Sequence, residues 1–372
     1  MTTTLKKTTA LGMALASAVF AAPAAAEELS YAHYVSSVHV LATHGVGPFF
    51  ERVTEDTDGE ITWTAYWGGA MGEPKELLGA IGDGIVDAAG VVDVYLKSQL
   101  PSSVALSSLF VVGDDVLAFG AAMNEYQLLH CPSCIEDYKG HNIVPLAWYS
   151  TSPYLLMCTS EVASLDQLAG KKVRAASRMG TLMQSMGGTP VSVTSAEMYE
   201  AMQRGTVDCS VGAAAWLTGY NIKDFVTHVV EDPLGAYIGA MIMDMNADVW
   251  ADLSEEHRQA ILDNLPKLVA DTIWAYNSEA DDAIKQSLAG GTKLVPAADD
   301  FRMKLEEIRS VEWEAAIEQA ESDGVENARE MIEGFRETVD KWRGIVKEIG
   351  DDKEAFEAAL EREIFSKYEP SL

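Results

Sequence analysis

The spacing of apolar positions switches repeatedly between two periods along the chain. A period of two reads as strand and a period near 3.6 as helix. Residues 29–35 and 61–67 read as strands, the second with Ile61, Trp63, Ala65 and Trp67 on one face. Residues 38–55 between them read as a helix, with Gly59 ending the turn beyond it. A short helix over 73–81 begins with Pro74 in its first turn, where a missing N–H costs nothing. Residues 85–92 form the next strand, and Asp114-Asp115 cap a helix over 116–129. Strands over 143–149 and 154–159 follow.

The rhythm then repeats. Ser164 with Gln167, and Thr194 with Glu197, have the spacing of capping boxes, the second opening a helix to Arg204. Residues 172–176, 191–193, 207–211 and 237–245 read as strands, and 179–186 as a helix. After Asn246 the pattern becomes helical. Ser254 caps a run to about Leu288, Gly290-Gly291 break it, 292–295 is a short strand, and a further helix starts near Asp299. Met331, Phe335, Val339, Trp342 and Val346 make one helical stripe, expected to pack on the rest of the molecule. The fold class is α/β, with enough βα units for two open sheets.

Charge narrows the partners. Asp and Glu number 57 against 27 Lys and Arg, a formal net charge of −30. Such a field repels nucleic-acid phosphates and anionic membrane surfaces. The first 26 residues read as a secretory signal peptide. Lys6 and Lys7 precede a short apolar run over 8–20, and Ala24-Ala25-Ala26 supply the small residues for cleavage before Glu27. The expected location is the periplasm, with no lipid anchor, because no cysteine follows the cleavage region.

The four cysteines fit an oxidising compartment. Cys131 and Cys134 are close enough for a local disulfide. The alternative for this Cys-Pro-Ser-Cys segment is a thiol-redox enzyme, but the strand before and long helix after that such a motif needs are missing. Sequence leaves open whether Cys158 and Cys209 pair. The histidines have no metal-ligand spacing, and no phosphate-binding loop, dinucleotide fingerprint or nucleophile elbow occurs. No metal, cofactor or catalytic set is therefore assigned. What remains is an aromatic set near strand ends, Trp148, Tyr149, Tyr154, Trp216, Tyr220 and Tyr237, and two arginines after a short strand, Arg174 and Arg178. Ligands of open α/β sheets bind at the carboxyl ends of strands.

Several segments, in order, resemble the solute-binding proteins of TRAP transporters, the C4-dicarboxylate-binding type. They are Tyr31-Ala32-His33 with His39 beyond it, Tyr66-Trp67-Gly68-Gly69-Ala70-Met71-Gly72, and Gly82-Asp83-Gly84-Ile85-Val86-Asp87-Ala88. The most specific stretch holds Leu168-Ala169-Gly170-Lys171-Lys172-Val173-Arg174, Met186-Gly187-Gly188-Thr189-Pro190-Val191, Glu197-Met198-Tyr199 and Gln203-Arg204-Gly205-Thr206-Val207-Asp208. The resemblance implies a two-lobe, type II periplasmic binding fold that closes on its ligand, with a long helix bridging the lobes. It implies lobe I over 27–150 with 238–285 returning to it, lobe II over 151–237, and a helical segment over 286–372 packing on both. It implies a small organic acid as ligand, TRAP permease membrane subunits as partners, and no enzymatic activity. A sensor that presents the acid to a membrane receptor would use the same clamp.

The family's selectivity arginine corresponds to Arg174, whose planar fork suits a carboxylate. Trp148, Trp216, Tyr237, His39, Glu73 and Tyr154 complete the candidate ligand-binding set. One segment departs from the family. Where an asparagine often helps hold the ligand, this chain has Cys209-Ser210-Val211-Gly212-Ala213-Ala214-Ala215-Trp216. Small residues with a nearby ring favour a flat ligand, so an aromatic monocarboxylate is expected over a dicarboxylate.

Overall fold

The computed structural model describes residue 2 and residues 26–370, so the expected leader lies almost wholly outside the described residues. Eleven strands run in chain order: β1 (Glu27–Ala32), β2 (Ile61–Tyr66), β3 (Ala88–Ala89), β4 (Ile143–Tyr149), β5 (Tyr154–Cys158), β6 (Lys172–Arg174), β7 (Thr189–Val191), β8 (Cys209–Ala213), β9 (His228–Val230), β10 (Ala240–Asn246) and β11 (Lys293–Val295). They form two sheets, one ordered β2-β1-β3-β10-β4 and the other β11-β9-β5-β8-β6-β7. Each is mixed. In the first, β10 runs antiparallel to β3 and β4; in the second, β5 runs antiparallel to β8 and β9. The chain therefore crosses between lobes at 150–153, returns before β10, and comes back once more to add β11 as an edge strand.

Prolines account for two departures from the simple helical reading. The expected helix over 38–55 is split: Leu41–Val46 winds loosely, and a regular α-helix restarts at Gly47–Asp56 with Pro48 in its first turn. The run over 254–288 likewise divides into Glu255–Asp263 and Leu265–Ala289, with Pro266 at the restart. A proline has no N–H to donate to the preceding turn, so it fits at a beginning and not within. The strand over 85–92 shrinks to Ala88–Ala89, with Ile85 exposed. Ser164 and Gln167 form a full capping box. Thr194 and Glu197 form only half of one: the Thr194 N–H and hydroxyl both donate to Glu197 Oε2 at 2.8 Å, and the helix begins at Met198.

The helical C-terminus ties the body together. On helix Ala328–Ile349, Met331, Phe335, Val339 and Trp342 are buried against helix Val116–Glu125. Trp342 Nε1 donates to Glu125 Oε2 at 2.6 Å, and Lys341 pairs with the same carboxylate at 2.8 Å. The long helix Leu265–Ala289 lies along both lobes. Its first turns pack on residues 41–46 and on β4, while Glu279 accepts from Thr218 of the second lobe at 2.9 Å. No helix among the described residues is long and apolar enough to cross a membrane.

Both cysteine pairs are bonded, Cys131 to Cys134 and Cys158 to Cys209. The second pairing was invisible in the sequence because 51 residues separate the partners. The β5–β8 register sets them directly opposite each other on adjacent antiparallel strands. That crosslink closes a loop containing β6 and β7. Replacing Cys158 and Cys209 together with alanine should cost about 2–4 kcal/mol by restoring unfolded-chain entropy. Urea unfolding of the double variant checks this, and an unmoved midpoint would show the bond to be dispensable.

Candidate functional site

Arg174 ends β6, between Val191 of β7 and Ser210 of β8. Both faces of this parallel segment are covered, so Val173 and Arg174 are both buried, and Arg174 is only 1% exposed. Its guanidinium donates from Nε to the Val193 carbonyl at 3.1 Å and from Nη1 to the Val211 carbonyl at 3.3 Å. Nη2 donates to the Tyr95 hydroxyl at 2.8 Å. A guanidinium has five N–H groups. One on Nη1 and one on Nη2 are left for something else. No ion pair among the described residues includes Arg174; beyond these acceptors the Trp216 ring, whose centre lies 5.2 Å from Cζ, adds a cation–π contact.

A cavity opens beside this group, with walls from both lobes. It holds about 430 Å³ free of protein atoms, part of it open to solvent. The walls are mostly rings: Tyr34, Tyr95, Tyr149, Tyr154, Trp216, Tyr220, Tyr237 and Tyr276. Small or aliphatic residues, among them Val92, Ala176, Met179 and Ala240, fill the gaps.

Local sequence explains how the rings are held. Trp216 lies flat against the backbone of Gly212. A Cβ there would come within 2.1 Å of the indole, so a side chain would expel the ring. Trp216 Nε1 donates to the Tyr276 hydroxyl at 3.2 Å. Ser195 collects the opposite wall: its hydroxyl donates to Tyr34 at 3.2 Å and accepts from Tyr220 at 3.4 Å. Its N–H donates to the Tyr95 hydroxyl at 3.0 Å. Burial pushes the phenols of Tyr34, Tyr149, Tyr154, Tyr220, Tyr237 and Tyr276 up from their ordinary value, so they stay neutral.

Of the residues expected from sequence, Arg174, Trp216, Tyr237 and Tyr154 line this cavity. Trp148 does not. It is wholly buried in the first lobe, edge-on to Tyr138 at 6.0 Å, with its backbone N–H bonded to Asn124 Oδ1 at 2.9 Å. Side chains alternate across a strand, so its neighbour Tyr149 faces the cavity in its place. His39 is also a correction: it sits one layer behind the wall, 5.8 Å from the rings of both Tyr220 and Tyr276. Burial pushes its imidazole down to about 4, which keeps it neutral. Glu73 is exposed, in a surface cleft with Thr194 and Glu197 and outside the cavity. Cys131 and Cys134 lie elsewhere, buried at the start of helix Pro132–Lys139. Tyr34, Tyr95, Ser195 and Tyr276 were missed. Only the isolated aromatics at 34, 95 and 276 could have flagged them, since nothing in their local spacing separates a cavity wall from a core.

Residues 31–320 match the family model for bacterial extracellular solute-binding proteins, family 7. The chain belongs to that family. Its members bind and release solutes without transforming them, and the many solved neighbours include TRAP periplasmic solute-binding proteins with the same two-lobe fold. A TRAP periplasmic solute-binding protein of Bordetella bronchiseptica with bound (R)- and (S)-mandelate is 22% identical, covers 85% of this chain and 99% of its own, and superposes with a TM-score of 0.72. A Rhodoferax ferrireducens TRAP protein with copurified benzoate is 17% identical, with coverage of 86% and 99% and a TM-score of 0.76. Among curated relatives, a Comamonas testosteroni protein named as an outer membrane transporter is 24% identical over 78% of this chain and 85% of its own length. Other neighbours hold pyroglutamate or galactonate, so the family 7 fold by itself does not choose the acid.

One wall of this cavity carries a titratable partner. The Tyr237 hydroxyl donates to Asp93, which also accepts from Ser103 at 2.8 Å. Asp93 is fully buried, and desolvation raises its carboxyl to about 6 despite these hydrogen bonds. A carboxyl raised in the folded state favours folding only while protonated. Stability from this group is therefore lost as pH climbs from about 4 to about 6. Asp93→Asn keeps an acceptor for Tyr237 without the charge. Its stability relative to the parent should rise by about 2–3 kcal/mol between pH 4 and pH 7. Denaturant titrations at both pH values check this, and a constant difference would contradict it.

Proposed function

We propose that this chain captures a small organic acid, an aromatic monocarboxylate, in the Arg174 cavity in the periplasm and delivers it to a TRAP-type membrane permease. One observation carries the reading: a buried guanidinium with no carboxylate partner and an unused N–H on each terminal nitrogen. A desolvated cation is costly unless it is paired. A ligand carboxylate supplies the missing charge and accepts both remaining bonds, and such charge-assisted pairs are the strong ones.

The lining of the cavity supports an aromatic body, since eight rings face it. Trp216, Tyr154 and Tyr220 meet at ring-centre distances of 5.2 and 5.7 Å around it, and a ring among rings adds about 0.5–1.5 kcal/mol per contact beyond burial. The mandelate and benzoate of the two neighbours described above agree with this choice. Walls from both lobes also mean that all contacts exist together only when the cleft is shut, which couples binding to closure.

Arg174→Ala should weaken benzoate binding by about 2–5 kcal/mol, the cost of truncating one partner of a buried charge pair. Arg174→Lys should recover only part, because an ammonium cannot reproduce the fork. Calorimetry with benzoate, mandelate and succinate tests both halves of the reading. Near-native affinity in the alanine variant would remove Arg174 from the site, and a preference for succinate would remove the aromatic ligand while leaving the carboxylate clamp in place.

A further inference from the structure

A second, larger void lies behind the ligand cavity. It is a crevice of about 1370 Å³, likewise partly open to solvent, between residues 94–108 of the first lobe, residues 177–181 of the second, and the end of helix Asp299–Ser322. Its lining is mixed, with the hydroxyls of Ser98, Ser108, Ser177 and Thr181 set among alanine, valine and proline. The Lys97–Asp323 ion pair at 2.6 Å stands at its rim. No family-level expectation and none of the candidate residues other than Arg178 pointed to it.

The wall between the two voids is one residue thick. Val94 and Tyr95 line both. Across from them, Ala176 and Met179 face the cavity while Ser177 and Arg178 face the crevice. The second-lobe side is fixed. Arg178 is held in a bidentate pair with the buried Glu312 at 2.7 and 2.8 Å, and Ser177 adopts a left-handed φ of 49°. The first-lobe side is Val94 and the larger Tyr95 ring, with the Ser108 and Ser177 hydroxyls bonded at 3.2 Å across the crevice beyond them. Tyr95 is partly exposed, and its hydroxyl accepts from Arg174 and from the Ser195 N–H. Both donors belong to the opposite lobe, so closure draws the ring across the gap.

We propose that Tyr95 is the partition that sets ligand size. This rests on the reading of the Arg174 cavity as the acid site. With a carboxylate on Arg174, the Tyr95 ring, whose hydroxyl meets the same guanidinium, closes the space beside the carboxylate end of the ligand and restricts it to a single-ring acid without bulk there. Without that ring the cavity and crevice join, and a larger acid with a polar branch beside its carboxylate reaches the hydroxyls of Ser108, Ser177 and Thr181. Bulk does the excluding, and the hydroxyl only latches the wall in place.

Two variants separate bulk from latch. Calorimetry with benzoate and with 4′-hydroxybiphenyl-2-carboxylate, whose second ring sits beside the carboxylate, is performed on the full exported chain and on Tyr95→Phe and Tyr95→Ala. The parent and Tyr95→Phe should both favour benzoate, with the larger acid at least about tenfold weaker. Tyr95→Ala should reverse the order, with the larger acid gaining about tenfold or more over the parent. If Tyr95→Ala excludes the larger acid as the parent does, the partition is elsewhere and the proposal is overturned. A ligand-free readout keeps this separate from the acid assignment. Trp216 lines the cavity but not the crevice. Acrylamide quenching of its emission, taken as the difference from matching Trp216→Phe chains, should rise in Tyr95→Ala and not in Tyr95→Phe. A rise with no binding of either acid would keep the partition and reject the acid reading. Equal quenching in all chains would reject the partition whatever binds.

Discussion

Arg174 holds a full positive charge where almost none of its surface meets water. Everything else in the site follows from how that charge is made tolerable. Two backbone carbonyls, a phenol oxygen and the face of an indole stabilise it in part. None of these is an anion. A buried ion left without a counter-charge is among the costliest features a fold can keep. Keeping it makes sense when the counter-charge arrives from outside, because the stabilisation withheld in the free protein then becomes binding energy.

The surrounding architecture serves that one group. The β5–β8 pairing and its disulfide hold β8 beside β6, which brings the Val211 carbonyl to Arg174. Gly212 lets Trp216 lie close enough to offer its ring face. The first lobe contributes the Tyr95 hydroxyl as an acceptor for Nη2. Burial keeps Tyr34, Tyr149, Tyr154, Tyr220, Tyr237 and Tyr276 neutral, so these phenols add no anion to the cavity. Of the nearby acids, Asp93 is kept behind Tyr237, where its own burial weakens its ionisation, and Glu197, which acts on Arg174 only through space, accepts from the N–H and hydroxyl of Thr194. Among the described residues the cavity thus presents a buried cation with no ion-pair partner, walled by rings.

The sequence carried the two-sheet α/β architecture and the position of Arg174, because strand periodicity and an ordered set of short motifs are local signals. Elements shifted where a proline restarts a helix, as at Pro48 and Pro266, since periodicity reports a face but not a break in hydrogen bonding. Site residues were harder. Trp148 and Tyr149 are adjacent and both aromatic, and only the strand register decides which one faces the cleft. His39 looked like a ligand contact because it is polar, yet it is a neutral packing group behind the tyrosines. Tyr95 and Tyr276 gave no signal because each acts through a partner far away in the chain, Arg174 in one case and Trp216 in the other. The Cys158–Cys209 bond belongs to the same class: its evidence is a register, and a register is a tertiary fact.

The overall charge seems at odds with an anion site only if the two are taken at the same range. The formal charge of −30 is spread over a large exposed surface, where salt screens interactions beyond roughly 8–10 Å. The Arg174 charge sits inside a low-dielectric slot, where screening is weak and a contact at hydrogen-bond distance dominates. The acidic surface therefore bears on encounter, disfavouring non-specific capture of anions and of anionic surfaces, while the buried fork bears on retention. A strongly acidic shell around one desolvated cation separates those two properties: the surface field acts at long range on whatever approaches, while the buried guanidinium acts only at contact.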